Sequence, residues 1–135
     1  MAVTAVRAMQ MLDALHALAA MPVATTPIRM RLTTAVGSVT AAGTELASGG
    51  GYVNGTGLGP VTFGSATSPG NSATTVAVAQ TNMPAATITS IELWDSNATA
   101  VRQEVGNLAS SKITAAGDTL SFAIAAVTSA LTGTP

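Results

Sequence analysis

The order of apolar and polar positions divides the chain into two regimes. Over residues 2–21, apolar residues recur at helical spacing. Ala5, Ala8, Leu12, Leu15 and Ala19 follow a 3-4-3-4 rhythm, and Met11 and Leu18 widen that seam. Ala, Leu, Met and Gln dominate, and neither Gly nor Pro occurs before Pro22, so the pattern predicts a helix over 2–21. Thr4, Arg7, Gln10, Asp13 and His16 recur at every third position and wind around it as a thin polar stripe. A helix this apolar does not stand alone in water. It packs on its own β-domain, bundles with copies of itself, or docks on another protein. Pro22–Pro27, with two prolines and two threonines, reads as an extended separator. The expected division is therefore an apolar helix over 1–22, a Pro/Thr linker over 23–27 and a β-domain over 28–135.

Beyond Pro27 the period drops to two. Ile28, Met30, Leu32, Thr34 and Val36 alternate with Arg29, Arg31, Thr33 and Ala35, the mark of a half-buried strand. Gly37–Gly43 is turn-like, and two glycine-rich stretches, Gly49–Gly51 and Asn54–Pro60, lead to a short strand around Val61–Phe63. Ser68-Pro69-Gly70-Asn71 is a turn signal. Strands follow near Thr74–Gln80, Thr87–Trp94 and Ala98–Val105, the last two joined by a turn at Asp95-Ser96-Asn97. A final pair, Ser111–Thr114 and Thr119–Leu131, is joined through Ala116-Gly117-Asp118. Parity changes between Ile124 and Val127, which predicts a bulge or break near Ala125. Seven or eight short strands with frequent turns and no βαβ alternation predict a mainly β fold. The expected architecture is an antiparallel, jelly-roll-like β-sandwich preceded by one N-terminal α-helix.

Composition points to a structural or binding part. Charged residues make up 8 % of the chain and aromatics 3 %, with one histidine, no cysteine and a net charge of −1. So sparse a charge suits an assembled subunit better than a free monomer and leaves no basic footprint for nucleic acid. Arg7, Asp13 and His16 interrupt the N-terminal apolar run, which argues against a membrane span and against a cleaved signal peptide at Ala17-Leu18-Ala19.

The candidate chemistry is thin. The glycine runs are followed by Tyr52-Val53 and Pro60-Val61-Thr62 rather than by the Lys and helix of a phosphate loop, so turns are the expectation. His16 with Asp13 one turn before it lacks a nucleophile. A capping or inter-helix hydrogen bond is expected, one that would make a helix bundle pH-sensitive. Glu92, Asp95 and Glu104 form the best carboxylate cluster, with pairing to Arg102 or Lys112 the expected outcome. Trp94 shares strand parity with Glu92 rather than with Ile91 and Leu93. That places it at a rim or inter-subunit contact, or in ordinary core after a register shift near Ser90. No catalytic, metal-binding or cofactor-binding residue is expected.

Several stretches, taken together and in order, carry a resemblance: Gly49-Gly50-Gly51-Tyr52, Val61-Thr62-Phe63-Gly64, Met83-Pro84-Ala85-Ala86, Ile91-Glu92-Leu93-Trp94-Asp95, Lys112-Ile113, and Ala116-Gly117-Asp118-Thr119-Leu120-Ser121-Phe122. Over about residues 28–131 the chain resembles small virion proteins of tailed bacteriophages, variously tail-fibre-like, head-fibre or capsid decoration proteins. It departs from their pattern at Val53–Pro60 and in carrying the helix. The resemblance implies an all-β domain on the virion surface, homo-oligomeric with a trimer as the expected order; the expected location is the virion, on the capsid surface rather than the tail. No catalytic residues come with it. The implied partners are copies of the chain itself and the phage major capsid protein or another virion protein, with neither nucleic acid nor membrane. The expected contact residues are Ala5, Ala8, Met11, Leu12, Leu15, Leu18 and Ala19 on the helix, with Tyr52 and Trp94 as inter-subunit or surface contacts. The alternative is a tail-fibre-like receptor- or glycan-binding module, which would present an exposed aromatic or polar platform near Tyr52 or Trp94.

Overall fold

A computed structural model describes residues 1–67 and 70–130. In chain order its elements are β1 (Ala2–Val3), α1 (Ala5–Leu15), β2 (Ile28–Ala35), β3 (Thr44–Glu45), β4 (Leu58–Val61), β5 (Asn71–Ala73), β6 (Val78–Gln80), β7 (Ala86–Trp94), β8 (Arg102–Thr114), β9 (Leu120–Phe122) and β10 (Thr128–Ala130). The protein is mainly β, all strand pairs are antiparallel among the described residues, and the helix lies near the N-terminus. The main sheet runs β1-β8-β7-β2-β3, with β4 also paired to β2; β5–β10 and β6–β9 are separate two-stranded ribbons.

Alternation along β2 and β7 builds the centre. Met30 lies opposite Leu93 and Leu32 opposite Ile91, and all four are buried. Cross-strand pairs share a face, so these form the apolar side of the sheet. The β6–β9 ribbon brings Val78, Leu120 and Phe122 to the same core, and Val127 joins them just before β10. Each such burial contributes about 1.5–3 kcal/mol.

The opposite face is polar and also covered. Arg31 lies opposite Glu92, Thr33 opposite Ser90 and Arg29 opposite Trp94. Thr33, Ser90 and Glu92 are as buried as the apolar core. The segment after β2 folds over this face: the Gly43 N–H donates to Glu92 Oε1 at 2.8 Å, and Ala41 offers its carbonyl to Arg102 at 2.8 Å. The glycine run behaves as a tight turn. Gly50 has φ +56°, and a Cβ there would lie 2.0 Å from the Asn82 carbonyl oxygen, so only glycine fits.

Strand positions follow the alternation closely for β2 and β7. The predicted break near Ala125 is present, with Ala125 at φ +60° between β9 and β10. Pairing at the C-terminal end differs from expectation. Ser111–Thr114 is the end of the long β8 and pairs with β7, while β9 pairs with β6. The long hairpin wins because β8 absorbs its mismatch in a bulge. Ile88 faces Lys112 while Ser90 faces Asn107, which leaves residues 108–111 opposite Thr89 alone. The expected turn residues Ser68 and Pro69, and Leu131 at the end of the expected last strand, lie outside the described residues.

The helix is shorter than the 2–21 predicted. Ala2 and Val3 are drawn into the sheet against Val105 and Glu104. Thr4 follows them: its N–H donates to the Gln103 carbonyl at 3.0 Å and its hydroxyl to the Arg102 carbonyl at 2.8 Å. At the other end Ala17 turns left-handed at φ +57°. Leu18 N–H then donates to Asp13 O at 2.9 Å and Ala17 N–H to Ala14 O at 3.2 Å, the paired bonds of a Schellman stop. Residues 18–27 contain no helix or strand. The end of this segment is bonded to the loop after β7: Ser96 donates its N–H to Thr25 O at 3.0 Å and its hydroxyl to Pro27 O.

Candidate assembly surface

Helix α1 is turned the opposite way from an ordinary amphipathic surface helix. Its buried residue is Arg7, 5 % exposed. The guanidinium reaches Asp95 Oδ2 at 3.8 Å and donates from Nε to Gln103 Oε1. Its Nη1 donates to Gln10 Oε1 at 2.8 Å and to the Pro22 carbonyl at 2.9 Å. Asp95 is held in turn by the Val101 N–H at 2.7 Å and by Gln103 Nε2 at 3.2 Å. Side chains three and four apart share a helix face, so fixing Arg7 inward fixes the opposite face outward.

That outward face is apolar. Val6, Met9, Leu12 and Leu15 are exposed, and Leu18, Met21 and Val23 continue the exposure past the helix end. Of the predicted seam, Ala8, Leu12, Leu15, Leu18 and Ala19 are exposed, while Ala5 and Met11 are half-buried. Met11 faces a groove of about 370 Å³ between α1 and the β5–β10 ribbon, lined also by Met21, Glu104 and Ser129. Asp13 and His16 are both exposed, and the His16 N–H closes onto Leu12 O at 3.0 Å. In the sequence Arg7 reads as one more member of the polar stripe, and its inward role is not among the expectations. The available signal was a lone arginine in an otherwise uncharged first two turns.

The two aromatic candidates are engaged within the chain. Tyr52, expected as a surface or inter-subunit contact, is instead core: it is 1 % exposed. Its hydroxyl accepts the Leu32 N–H at 3.1 Å and donates to Glu45 Oε1 at 2.9 Å. Glycine-driven turns on both sides fold it inward, which alternation did not reveal. Burial raises the Tyr52 pKa above the ordinary tyrosine value; the Leu32 hydrogen bond opposes this and the nearby Glu45 charge adds to it. Trp94 keeps the parity of Glu92 and is half-buried on the polar face. Its indole N–H donates to Glu92 Oε2 at 3.0 Å, and the Arg31 guanidinium carbon lies 4.1 Å from its ring centroid, a cation–π arrangement.

The carboxylates divide among separate partners. Glu92 pairs with Arg102 at 2.7 Å, as anticipated, while Lys112 is exposed. Asp95 belongs to the Arg7 anchor, and Glu104 Oε1 accepts from the Ser129 hydroxyl. Among the described residues no group of three or more metal-ligating side chains converges, and no helix is long and apolar enough to cross a membrane. Compared with known family models and with curated proteins, the chain matches none.

Proposed function

We propose that the protein is a non-enzymatic structural subunit of a tailed-phage virion, a capsid decoration or head-fibre (minor capsid) protein that cements or projects from the shell. The observation that carries this reading is the inverted helix, whose charge is spent inward on Asp95 while its leucines and methionines face solvent. A face of that kind suits a part that is buried on assembly. The resemblance of residues 28–131 to small virion proteins supplies the setting. In this reading the β-domain is a jelly-roll-like sandwich, with the two ribbons as its second layer. The protein works as a homo-oligomer, a trimer being the order implied by the resemblance, in contact with the major capsid protein or another virion protein. Repetition over many copies turns modest contacts into a strong shell.

The test is made on particles of the phage that encodes the chain. Purified virions should contain the protein, and antibody against it should label heads in negative stain. Particles assembled with the Leu12→Asp/Leu15→Asp variant should lose it. Absence of the protein from purified virions contradicts the reading. The tail-fibre alternative loses ground with Tyr52 buried and Trp94 covered on one face by Arg31; antibody labelling at the tail tip would restore it.

A further inference from the structure

We infer that Arg29 and Arg31, near the start of β2, form a binding site for a small carboxylate beside Trp94. The site lies on the β-domain and does not depend on the assembly reading above. The first argument is charge balance. On the polar face Asp95, Glu45 and Glu92 pair with Arg7, Arg31 and Arg102. Arg29 stands on the same face, opposite Trp94, and meets no carboxylate among the described residues. Its Nη1 donates to the Gly59 carbonyl at 2.8 Å. A half-buried cation attracts an anion more strongly than one in open water, and one unmatched positive charge calls for a monoanion.

The second argument is the supply of donors. Glu45 is turned toward its neighbours: its Oε1 accepts from the Tyr52 hydroxyl at 2.9 Å and from the Gly55 N–H at 2.8 Å. Its contact with Arg31 is loose, Nη1 to Oε2 at 3.4 Å. Arg31 Nε is buried and has no acceptor, an arrangement that stays unfavourable until an acceptor arrives. The edge left over, Nε with Nη2, is the fork that matches the two oxygens of a carboxylate. The guanidinium carbon lies 4.1 Å from the Trp94 ring centroid, and that stacking sets the plane of the fork.

The third argument is room. Arg29 and Arg31 border a pocket of about 250 Å³ together with Gly55, Thr56, Ser96 and Asn97. That is small for a drug-sized ligand and fits an acid of a few heavy atoms. A side chain added at Gly55 would meet open space, so the rim is not closed there. Asp95 also borders the pocket, but its charge is spent elsewhere: Oδ1 accepts from the Val101 N–H at 2.7 Å and Oδ2 faces Arg7.

Trp94 is the chain's one tryptophan, so its emission reports on the site. The intact protein is titrated with sodium acetate at constant ionic strength, chloride making up the difference. Emission should change saturably, with a midpoint on the order of 1–10 mM. Arg29→Gln should raise that midpoint about tenfold or more. Arg29→Lys keeps the charge without the fork and should fall between; it carries the comparison if Arg29→Gln loses the parent's circular dichroism. Lys112→Gln removes an exposed cation elsewhere and should titrate as the parent does. A response that does not saturate, or one with the same midpoint in the Arg29 variants as in the parent, would overturn the inference. A midpoint for inorganic phosphate far below that for acetate would overturn the assignment to a carboxylate.

Discussion

Ala17 and Tyr52 occupy positions that their chemistry does not favour. Ala17 closes the Schellman stop at φ +57°, where an L-residue with a Cβ is strained by about 1–2 kcal/mol. Ala17→Gly removes that strain and loses part of the gain to the freer unfolded chain. It should stabilise the protein by about 0.5–1 kcal/mol, read as a higher urea midpoint with an unchanged slope. Tyr52 is the chain's one tyrosine, and its pKa is raised by burial. Below the unfolded value of about 10 both states hold the proton and its contribution is intact. As the pH rises further the unfolded chain releases its proton first, so stability falls. Tyrosinate absorbance should therefore appear only with loss of folded circular dichroism. Ionisation near pH 10 with the fold intact would contradict this assignment. Tyr52→Phe should cost about 1–3 kcal/mol, because the Leu32 N–H loses its acceptor.

At the scale of elements, the polar face between β2, β7 and β8 is held by a buried ion pair. Glu92 and Arg102 meet at 2.7 Å with side chains 3 % and 8 % exposed. Arg102→Met leaves that carboxylate uncompensated and should cost about 3–5 kcal/mol. Adding Glu92→Gln removes the stranded charge and should recover part of the loss in denaturant titration. If the double variant loses the sum of the two single losses, the pair is not coupled as described. The element scale also shows what the sequence made legible. β2 and β7 follow from alternation, because each has one apolar face, and the Glu92–Arg102 pairing follows from a hairpin around Asp95–Asn97. The end of the helix and the first strand were not legible. Ala17 gives no glycine-like stop signal, and Ala2-Val3 becomes a strand only because β8 offers an edge. Tyr52 went inward through two glycine turns whose geometry periodicity does not encode.

For the whole molecule, the apolar seam of the N-terminal segment was legible from spacing alone, and five of its seven residues are exposed. The reason for their exposure was not. It lies in a contact between Arg7 and a loop residue 88 positions away, Asp95, and a local pattern carries no information about so distant a partner. This polar anchor holds the apolar face of α1 outward, the face proposed above to be covered on assembly. Light-scattering mass of the intact protein tests it most directly, alongside Leu12→Asp/Leu15→Asp, whose substitutions lie on exposed positions. The parent should scatter as a small multiple of 13.2 kDa and the variant as 13.2 kDa, with the same circular dichroism. A parent that remains at 13.2 kDa at high concentration, or an oligomer that survives both substitutions, would contradict it.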